Sequence, residues 1–545
     1  MGSSGGGDCT RRARVGACER LRLKWAIIAF GLAFSGCGAR TRLEGSGQAA
    51  ISAGGSGAGG ANVSSAGGGV GGTARSEGNA GVAGSSAGGA LAGVGAGGAE
   101  SPGTAGTAGT AGTSGTGGGS AGMGGTVGIA GGGSAGTGGS AGSAGAAASA
   151  GSAGMPPTAI GLALGAFHTC ALFDAGRLRC WGSAGYIGAG NLLAIGDDEP
   201  AAAAPDVDIG GRVVQISASW YHTCALLDSG NLRCFGSGLS GELGYGNTNN
   251  IGDDEAPAAA GDVSVGKVRQ VSAGPYHTCA VLAGGSVRCW GRNDHFQLGV
   301  SSSETIGDDE LPASIPPVEV GGFVTQVAAG FAHTCVLLDT GKVRCWGEGS
   351  GGRLGYGNTR TIGDDESPAS AGDVDVGGTV VQLQAGLLHT CALLDTGKVR
   401  CWGQPNEGRL GYGNLEAIGD DETPASAGDV DVGGPVTQIA VGDYATCALL
   451  LGGKLRCWGS GQLGELGHAN TEAIGDDETP ATAGDVDVGG LATHVDVGFL
   501  HACAIFDTGK VRCWGRGATG ALGYGNTHDI GDNETPASAG DVSAR

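Results

Sequence analysis

Cysteines recur in pairs ten residues apart in the second part of the chain, and paired thiols either form disulfides or bind metal. Zinc needs four ligands, and one pair per copy supplies only two. Fourteen paired cysteines are rare in a reducing cytosol and ordinary in an oxidising compartment. We expect seven disulfides, with structural free thiols and metal binding as alternatives. The expected pairs are Cys170 with Cys180, Cys224 with Cys234, Cys279 with Cys289, Cys335 with Cys345, Cys391 with Cys401, Cys447 with Cys457, and Cys503 with Cys513.

A histidine stands two residues before the first cysteine in six of the seven copies. A ring of imidazoles suggests a metal site, but repeat symmetry would set them too far apart to share one ion. We expect each histidine to be buried and hydrogen-bonded to backbone within its own repeat. They are His168, His222, His277, His333, His389 and His501.

An acidic triplet, usually within IGDDE, also recurs in every copy. Paired carboxylates can act as general acid and base, but catalytic pairs are asymmetric and these are near-identical. Calcium is the alternative to a solvated loop, although the EF-hand spacing is missing. We therefore predict no catalytic residue, no metal and no cofactor. The triplets begin at Asp197, Asp253, Asp308, Asp364, Asp420, Asp476 and Asp532.

The residues around each cysteine pair predict a β-hairpin. In the fifth copy, residues 380–403 read VVQLQAGLLHTCALLDTGKVRCWG. Asp395-Thr396-Gly397 forms the turn, and glycine supplies its left-handed third position. This register sets Cys391 opposite Cys401, within disulfide reach. Closing so short a loop would stabilise the fold by about 2.5–3 kcal/mol per bridge.

From residue 158 onward the chain repeats with a period of 54 to 56 residues. The pattern AG-x-x-HTCALL-x-x-GKVRCWG, followed by LGYGN, resembles the repeat of the regulator of chromosome condensation family, in its extracellular, cysteine-containing bacterial form. That resemblance implies a seven-bladed β-propeller. We therefore predict an all-β fold in which residues 157–545 form a propeller closed by its two ends, which together complete one blade.

The first part of the chain has the features of an export signal followed by a tether. Residues 1–36 combine a basic flank, an apolar run at 25–34 and small residues before Cys37, as in a lipoprotein signal peptide. Cys37 would carry the acyl chains. Residues 37–156 are dominated by Gly, Ala, Ser and Thr and predict a disordered segment. We expect export and lipid anchoring in the bacterial envelope, at the outer membrane.

The charge balance excludes one class of partner. From residue 157 onward, 21 basic and 47 acidic residues give a formal charge of −26. Nucleic-acid binding depends on cations that displace counterions from phosphates, so we predict no nucleic-acid partner. We expect a monomer that meets the membrane only through its lipid anchor.

The positions where the copies differ are the candidates for specificity. The two residues before the histidine position are often aromatic, and repeat symmetry places these loops on one face near the channel mouth. Varied aromatic loops on a rigid scaffold predict a binding face; the alternative is that the rings only pack between blades. A second variable rim would include 292–297 and 404–409. The predicted face contains Phe167, Trp220, Tyr221, Tyr276, Phe331, Tyr444 and Phe499.

These features together favour a non-catalytic binding module for a protein or glycan at the cell envelope. A structural envelope protein without a soluble ligand is the first alternative. A propeller enzyme, or an inhibitor of a secreted enzyme, is the second. The sequence shows no asymmetric polar cluster of the kind that an enzyme requires.

Overall fold

Each copy folds into one three-stranded antiparallel sheet in the computed structural model, which describes residues 158–544. The middle strand of each sheet pairs with both neighbours. The predicted all-β, seven-bladed propeller is confirmed. Its blades, in chain order, are β1 (Ala159–Leu164), β2 (His168–Phe173) and β3 (Leu178–Gly182); β4 (Val213–Ala218), β5 (His222–Leu227) and β6 (Leu232–Gly236); β7 (Val268–Ala273), β8 (His277–Leu282) and β9 (Val287–Gly291); β10 (Val324–Ala329), β11 (His333–Leu338) and β12 (Val343–Gly347); β13 (Val380–Ala385), β14 (His389–Leu394) and β15 (Val399–Gly403); β16 (Val436–Val441), β17 (Ala445–Leu450) and β18 (Leu455–Gly459); and β19 (Ala492–Val497), β20 (His501–Phe506) and β21 (Val511–Gly515).

Short helices of one turn follow five of the blades. They are α1 (Pro257–Ala260), α2 (Pro368–Ala371), α3 (Pro424–Ala427), α4 (Pro480–Ala483) and α5 (Pro536–Ala539). Across residues 158–544, none of the helices has the length and apolar character needed to cross a bilayer. The signal peptide at 1–36, the lipidation site Cys37 and the tether at 37–156 lie outside the described residues and stay predictions.

The hairpin of each copy has the register that its sequence predicts. In the fifth blade, Cys391 lies opposite Cys401 and Leu393 lies opposite Val399. Gly397 has a φ of 76°, the left-handed conformation that the three-residue turn requires.

All seven cysteine pairs are joined as disulfides, each between the middle and third strands of its blade. The thiols are therefore used within their own hairpins, and neither free thiols nor metal ligands remain among these fourteen residues. The bridges join Cys170 to Cys180, Cys224 to Cys234, Cys279 to Cys289, Cys335 to Cys345, Cys391 to Cys401, Cys447 to Cys457, and Cys503 to Cys513.

Neighbouring blades interlock through a buried tryptophan in the third strand of six blades, and Phe235 takes this position in the second blade. Trp290 is fully buried, and its Nε1 donates to the carbonyl oxygen of Glu242, in the loop of the preceding copy, at 3.0 Å. That loop lies so close that a Cβ on Gly244 would stand 2.6 Å from the indole nitrogen. Glycine in the LGYG segment is therefore required by the approach of one copy to the next.

The recurring histidines are buried, as the sequence predicts, but the prediction of their hydrogen-bond partner is wrong. Each imidazole Nε2 lies 2.8–2.9 Å from a threonine Oγ1 of the next blade, rather than bonding backbone in its own blade. The ladder of the middle strand already uses the backbone groups around each histidine, so the buried ring reaches the adjacent sheet. The pairs are His168 with Thr223, His222 with Thr278, His277 with Thr334, His333 with Thr390, His389 with Thr446, and His501 with Thr169.

The threonine hydroxyl sets the proton position on its histidine. Thr278 Oγ1 donates to the carbonyl oxygen of Glu242 at 2.8 Å, so His222 Nε2 must carry the hydrogen that Thr278 accepts. Burial lowers the pKa of His222 to about 3, which keeps the ring neutral. The interface therefore contains a relay in which histidine donates to threonine and threonine donates to the loop carbonyl.

The interface between the sixth and seventh blades lacks both side chains of this relay. Ala445 replaces the histidine, and Ala502 replaces the threonine that would be its partner. Both alanines are almost completely buried, at 2% and 0% exposed. The two departures, which look unrelated in sequence, are therefore the two halves of one missing contact.

The two ends of the propeller meet at an interface and do not share a blade. β1, β2 and β3 all come from the first copy, and β19, β20 and β21 all come from the last. The prediction that the ends complete one blade together is therefore wrong, because each first strand pairs with the hairpin directly after it. Contact between the ends runs from His501 to Thr169, from Trp181 Nε1 to the Ala521 oxygen at 2.9 Å, and from Arg179 to the Ala544 oxygen at 3.2 Å.

Replacing Thr390 by valine should destabilise the propeller by about 1–3 kcal/mol, because it leaves the buried His333 without its partner. In a His333→Ala background the same substitution should cost much less, since that interface then resembles the natural one between Ala445 and Ala502. Urea unfolding of the four proteins of this double-mutant cycle measures the coupling. Additive effects would contradict the relay.

Candidate binding surface

The loops that precede the middle strands and those that follow the third strands lie at the same end of each blade. His389 pairs with Gly403, and the amide of Gln404 donates to the Leu388 oxygen at 3.0 Å. The amide of Arg292 makes the equivalent bond to Tyr276 at 2.9 Å. Both sets of variable residues therefore belong to one surface, which we call the mouth face.

Trp220 is the hub of the aromatic residues on the mouth face. Its ring centroid lies 5.5 Å from that of Tyr276, 5.7 Å from Phe331 and 5.3 Å from Phe499. These partners come from the third, fourth and seventh blades, so the indole reaches across the mouth of the channel instead of lying between two adjacent blades. Its Nε1 also donates to Asp443 of the sixth blade.

The remaining predicted aromatics join the same cluster. Phe167 stacks on Tyr221 at 6.0 Å, Tyr221 lies 6.4 Å from Tyr276, and Tyr444 lies 5.3 Å from Phe499. Every one of the seven predicted residues is half-buried. The rings pack against one another and still present part of their surface to solvent. The predicted binding face and the alternative of packing between blades therefore each hold in part.

Sequence reasoning missed one member of this cluster. Tyr186 lies 5.7 Å from Tyr221 and 6.5 Å from Phe167. Tyr186 departs from the repeat, and this departure could have predicted its place in the cluster. It is aromatic at a position beside the mouth face where most other copies carry a polar residue. At the equivalent position the other copies carry Glu242, Gln297, Arg353, Arg409, Glu465 and Ala521.

A buried arginine supports the loop that carries Asp443 and Tyr444. Arg409 donates to the Asp443 carbonyl oxygen at 3.2 Å, and its guanidinium lies 5.3 Å from the centroid of the Tyr444 ring. Burial raises the pKa of the Asp443 carboxyl to about 6. The sequence places Arg409 on a second variable rim, whereas the structure buries it beneath the aromatic cluster with 2% exposure.

Below Trp220 the channel narrows to a neck of glycines. A Cβ on Gly386 would stand 2.2 Å from the carbonyl oxygen of Gly442, and one on Gly442 would stand 2.2 Å from that of Gly498. These glycines, at the ends of the first strands, thus allow the blades to converge around the axis. A cavity of about 60 Å³ remains there, with Trp220 and Phe499 among its lining residues.

Two buried glutamates occupy equivalent loop positions in the second and sixth copies. Glu242 accepts the Ser240 amide at 2.6 Å, and Glu465 accepts the Leu463 amide at 2.7 Å. Burial raises the pKa of each carboxyl to about 7. In the third copy Gln297 accepts the corresponding amide at 2.9 Å. A neutral side-chain amide therefore suffices for this structural role.

The acidic triplets form compact loops. In the fifth of these, one carboxylate oxygen each from Asp420, Asp421 and Glu422 lies within 4.8 Å of the other two, and Asp421 is exposed. Burial and a hydrogen bond to Asp365 raise the pKa of Glu366, in the fourth triplet, to about 7. That these loops are solvated, with calcium as the alternative, stays a prediction.

Comparison with known proteins identifies the repeat. A family profile described as "Regulator of chromosome condensation (RCC1) repeat" matches residues 160–186, 213–242, 268–297, 324–353, 380–409, 436–465 and 492–520, and a second profile with that description matches 284–337. The ultraviolet-B receptor UVR8 of Arabidopsis thaliana is 29% identical over 377 residues, which cover 69% of this chain and 80% of the receptor. The human E3 ubiquitin-protein ligase HERC2 is 29% identical over 318 residues, which cover 58% of this chain but only 6% of the ligase.

Two solved structures share the fold. Prp20p from Saccharomyces cerevisiae, described with its binding properties to Gsp1p and histones, aligns with a TM-score of 0.51 and 20% identity over 65% of this chain and 84% of its own. Human WBSCR16 aligns with a TM-score of 0.50 and 21% identity over 63% of this chain and 86% of its own. At these identities the alignments show a common architecture.

Replacing Glu465 by glutamine should stabilise the propeller at pH 8 by about 1–3 kcal/mol and have little effect at pH 5. Because the folded-state pKa of this carboxyl is raised to about 7, its contribution is fully present below pH 4.5 and is lost as the pH rises through 7. The buried histidines act oppositely: their pKa values are lowered, so their contribution is lost as the pH falls below 6.5.

Denaturant midpoints of wild type and Glu465→Gln at the two pH values test this prediction. Glu472→Gln is the matched control, since that side chain is exposed and lies in the same copy. Equal effects of the two substitutions at pH 8 would show that the buried carboxyl has no special influence.

Proposed function

Because the seven repeats belong to the regulator of chromosome condensation (RCC1) repeat family, whose propellers are protein-interaction modules, we propose that this chain is a non-catalytic module that binds a protein partner through its mouth face at the bacterial cell envelope. Propellers of this type are generally non-enzymatic. HERC2 does not alter this expectation, since only 6% of that ligase aligns with the chain.

The connected aromatic cluster is the observation that carries the proposal. Eight half-buried rings from six blades form one surface around Trp220. Trp and Tyr contribute much of the binding energy at protein interfaces. Here the rings pack against one another and Trp220 also donates to Asp443, so little side-chain freedom would be lost on binding.

The relatives and the charge support a protein ligand. Prp20p, which shares the architecture, is described as binding the proteins Gsp1p and histones. The formal charge of −26 from residue 157 onward disfavours a nucleic acid and favours a partner with a basic surface.

The envelope location is supported by the sequence of the first 37 residues and by the seven disulfides. Disulfide-rich exported domains are ordinary in an oxidising compartment. Lipidation at Cys37, followed by the segment 37–156, would present the module at a distance from the membrane.

A photoreactive residue on the mouth face tests the binding surface. With p-benzoylphenylalanine in place of Tyr276, we expect irradiation of intact cells to produce a discrete adduct with one protein. The same residue in place of Phe323 is the control, because Phe323 is 43% exposed and precedes β10 at the opposite end of the blade.

The Tyr276 adduct should weaken when Tyr221 is replaced by alanine, the residue that the fourth copy carries at the equivalent position, Ala332. The mouth-face proposal fails if the two photoreactive positions give the same adducts, if neither gives one, or if Tyr221→Ala has no effect.

Membrane fractionation tests the anchor. Cys37→Ala should prevent lipidation and move the protein from the membrane fraction to the soluble one or leave its signal uncleaved. Cys18→Ala, within residues 1–36, is the control and should behave as wild type. A Cys37→Ala protein that is processed and membrane-bound like wild type would exclude a lipid anchor at this residue.

A further inference from the structure

A second, larger cavity lies on the axis of the propeller, below the glycine neck. Its volume is about 570 Å³, and residues from the first strand of every blade line it. The neck and Trp220 lie at its mouth-face end, so this cavity is separate from the aromatic surface to which we assign protein binding.

Most of the cavity wall is neutral, and a glutamine amide from each of five blades is already paired with the next blade. Gln326 illustrates this arrangement: its Nε2 donates to the Leu383 oxygen at 2.8 Å, and its Oε1 accepts the Leu383 amide at 3.0 Å. Such two-point bonds to the next blade recur in the second to sixth blades. They join Gln215 to Val271, Gln270 to Val327, Gln326 to Leu383, Gln382 to Ile439, and Gln438 to Val495.

Asp496 breaks the sevenfold pattern of this wall. Among the described residues that line the cavity, Asp496 is the single carboxylate, and none is lysine or arginine. Of the described lining residues, His494 is the only other titratable one, and its Nδ1 lies 3.1 Å from Gln438 Nε2. At the position of Asp496 the other copies carry Ala163, Ser217, Ser272, Ala328, Gln384 and Ala440.

The Asp496 carboxyl has hydrogen bonds but no cation. Its Oδ2 accepts the Leu164 amide of the first blade at 3.2 Å, and the salt bridges of residues 158–544 do not include it. Burial raises its pKa to about 7, which is the expected behaviour of a carboxyl that lacks a compensating positive charge.

We propose that the axial cavity binds a small organic cation whose primary ammonium group pairs with the Asp496 carboxylate. A single carboxylate on a wall of neutral polar and aliphatic side chains supplies too few anionic oxygen ligands for calcium, which takes six to eight oxygens. A slender alkylammonium needs only one anionic partner and can contact the alanines and valines of the wall. The acidic propeller concentrates such cations around itself.

The serine that two other repeats carry at the position of Asp496 suggests a substitution that removes the carboxylate charge and keeps the fold. Ser217 and Ser272, at the position equivalent to Asp496, accept the amides of Ala273 and Ala329 from the next blade at 3.0 and 3.1 Å. Asp496→Ser can therefore accept the Leu164 amide in the same way while it eliminates the carboxylate.

The probe is n-butylammonium chloride, added to the purified full chain with its disulfides intact, in about 0.15 M salt that screens the surface charges. We expect saturable binding by titration calorimetry at pH 8, and an affinity at least about tenfold weaker in Asp496→Ser. Asp421→Asn, which removes one exposed acidic charge, is the matched control and should bind as wild type.

Affinity should also fall between pH 8 and pH 5.5, because ammonium binding requires the ionised form of Asp496. Burial lowers the pKa of His501, on β20, to about 3, so that ring stays neutral in this range. Burial also lowers the pKa of His494, on the same strand as Asp496, which favours its neutral form. The strands β1 and β16, which pack on β19, carry no titratable side chain.

Four results would overturn the proposal. They are no binding of butylammonium to wild type, equal binding of the neutral 1-butanol, wild-type affinity in Asp496→Ser, and displacement of the probe by millimolar calcium. The last would indicate an inorganic cation site.

Discussion

The packing of each blade against the next, which a histidine–threonine hydrogen bond supports at six of the seven interfaces, is the interaction on which the rest of the propeller depends. A three-stranded sheet cannot bury both of its faces alone, so each blade is stable only against its neighbours. At the interface between the second and third blades, His222 donates to Thr278, and the Glu242 carbonyl accepts from both Thr278 and Trp290. One loop carbonyl therefore ties two strands of the next blade to the preceding copy and aligns the blades around the axis.

Because the blades are aligned in this way, residues that occur in only one copy lie where they can form a specific surface or a specific cavity. Trp220 and Asp443, which are 223 residues apart in the chain, meet across the mouth, and Asp496 stands alone on the wall of the axial cavity. Seven identical copies would produce seven equivalent weak sites. A specific surface or cavity requires residues that break the symmetry, and in this chain those residues are aromatic at the mouth and acidic at the axis.

The sequence predicted the features that depend on local geometry. The turn at Gly397 and the pairing of Cys391 with Cys401 follow from a single hairpin, and the structure has this register. Predictions that required the distance between blades were less successful. His333 bonds Thr390, 57 residues away, and no local pattern reveals that partner. The burial of Arg409, which the sequence places on a second variable rim, depends on its packing beneath Tyr444 of the next copy.

By itself, the sequence determined the number of blades, the hairpin register and the aromatic character of the mouth loops, because each repeat encodes its own sheet through contacts between neighbouring residues. Only the tertiary structure decided how the copies join. It paired the absent histidine at Ala445 with the absent threonine at Ala502, placed Trp220 over the channel, and kept the two ends in separate blades. These outcomes depend on closing a ring, because ring closure brings into contact residues that are far apart in the sequence.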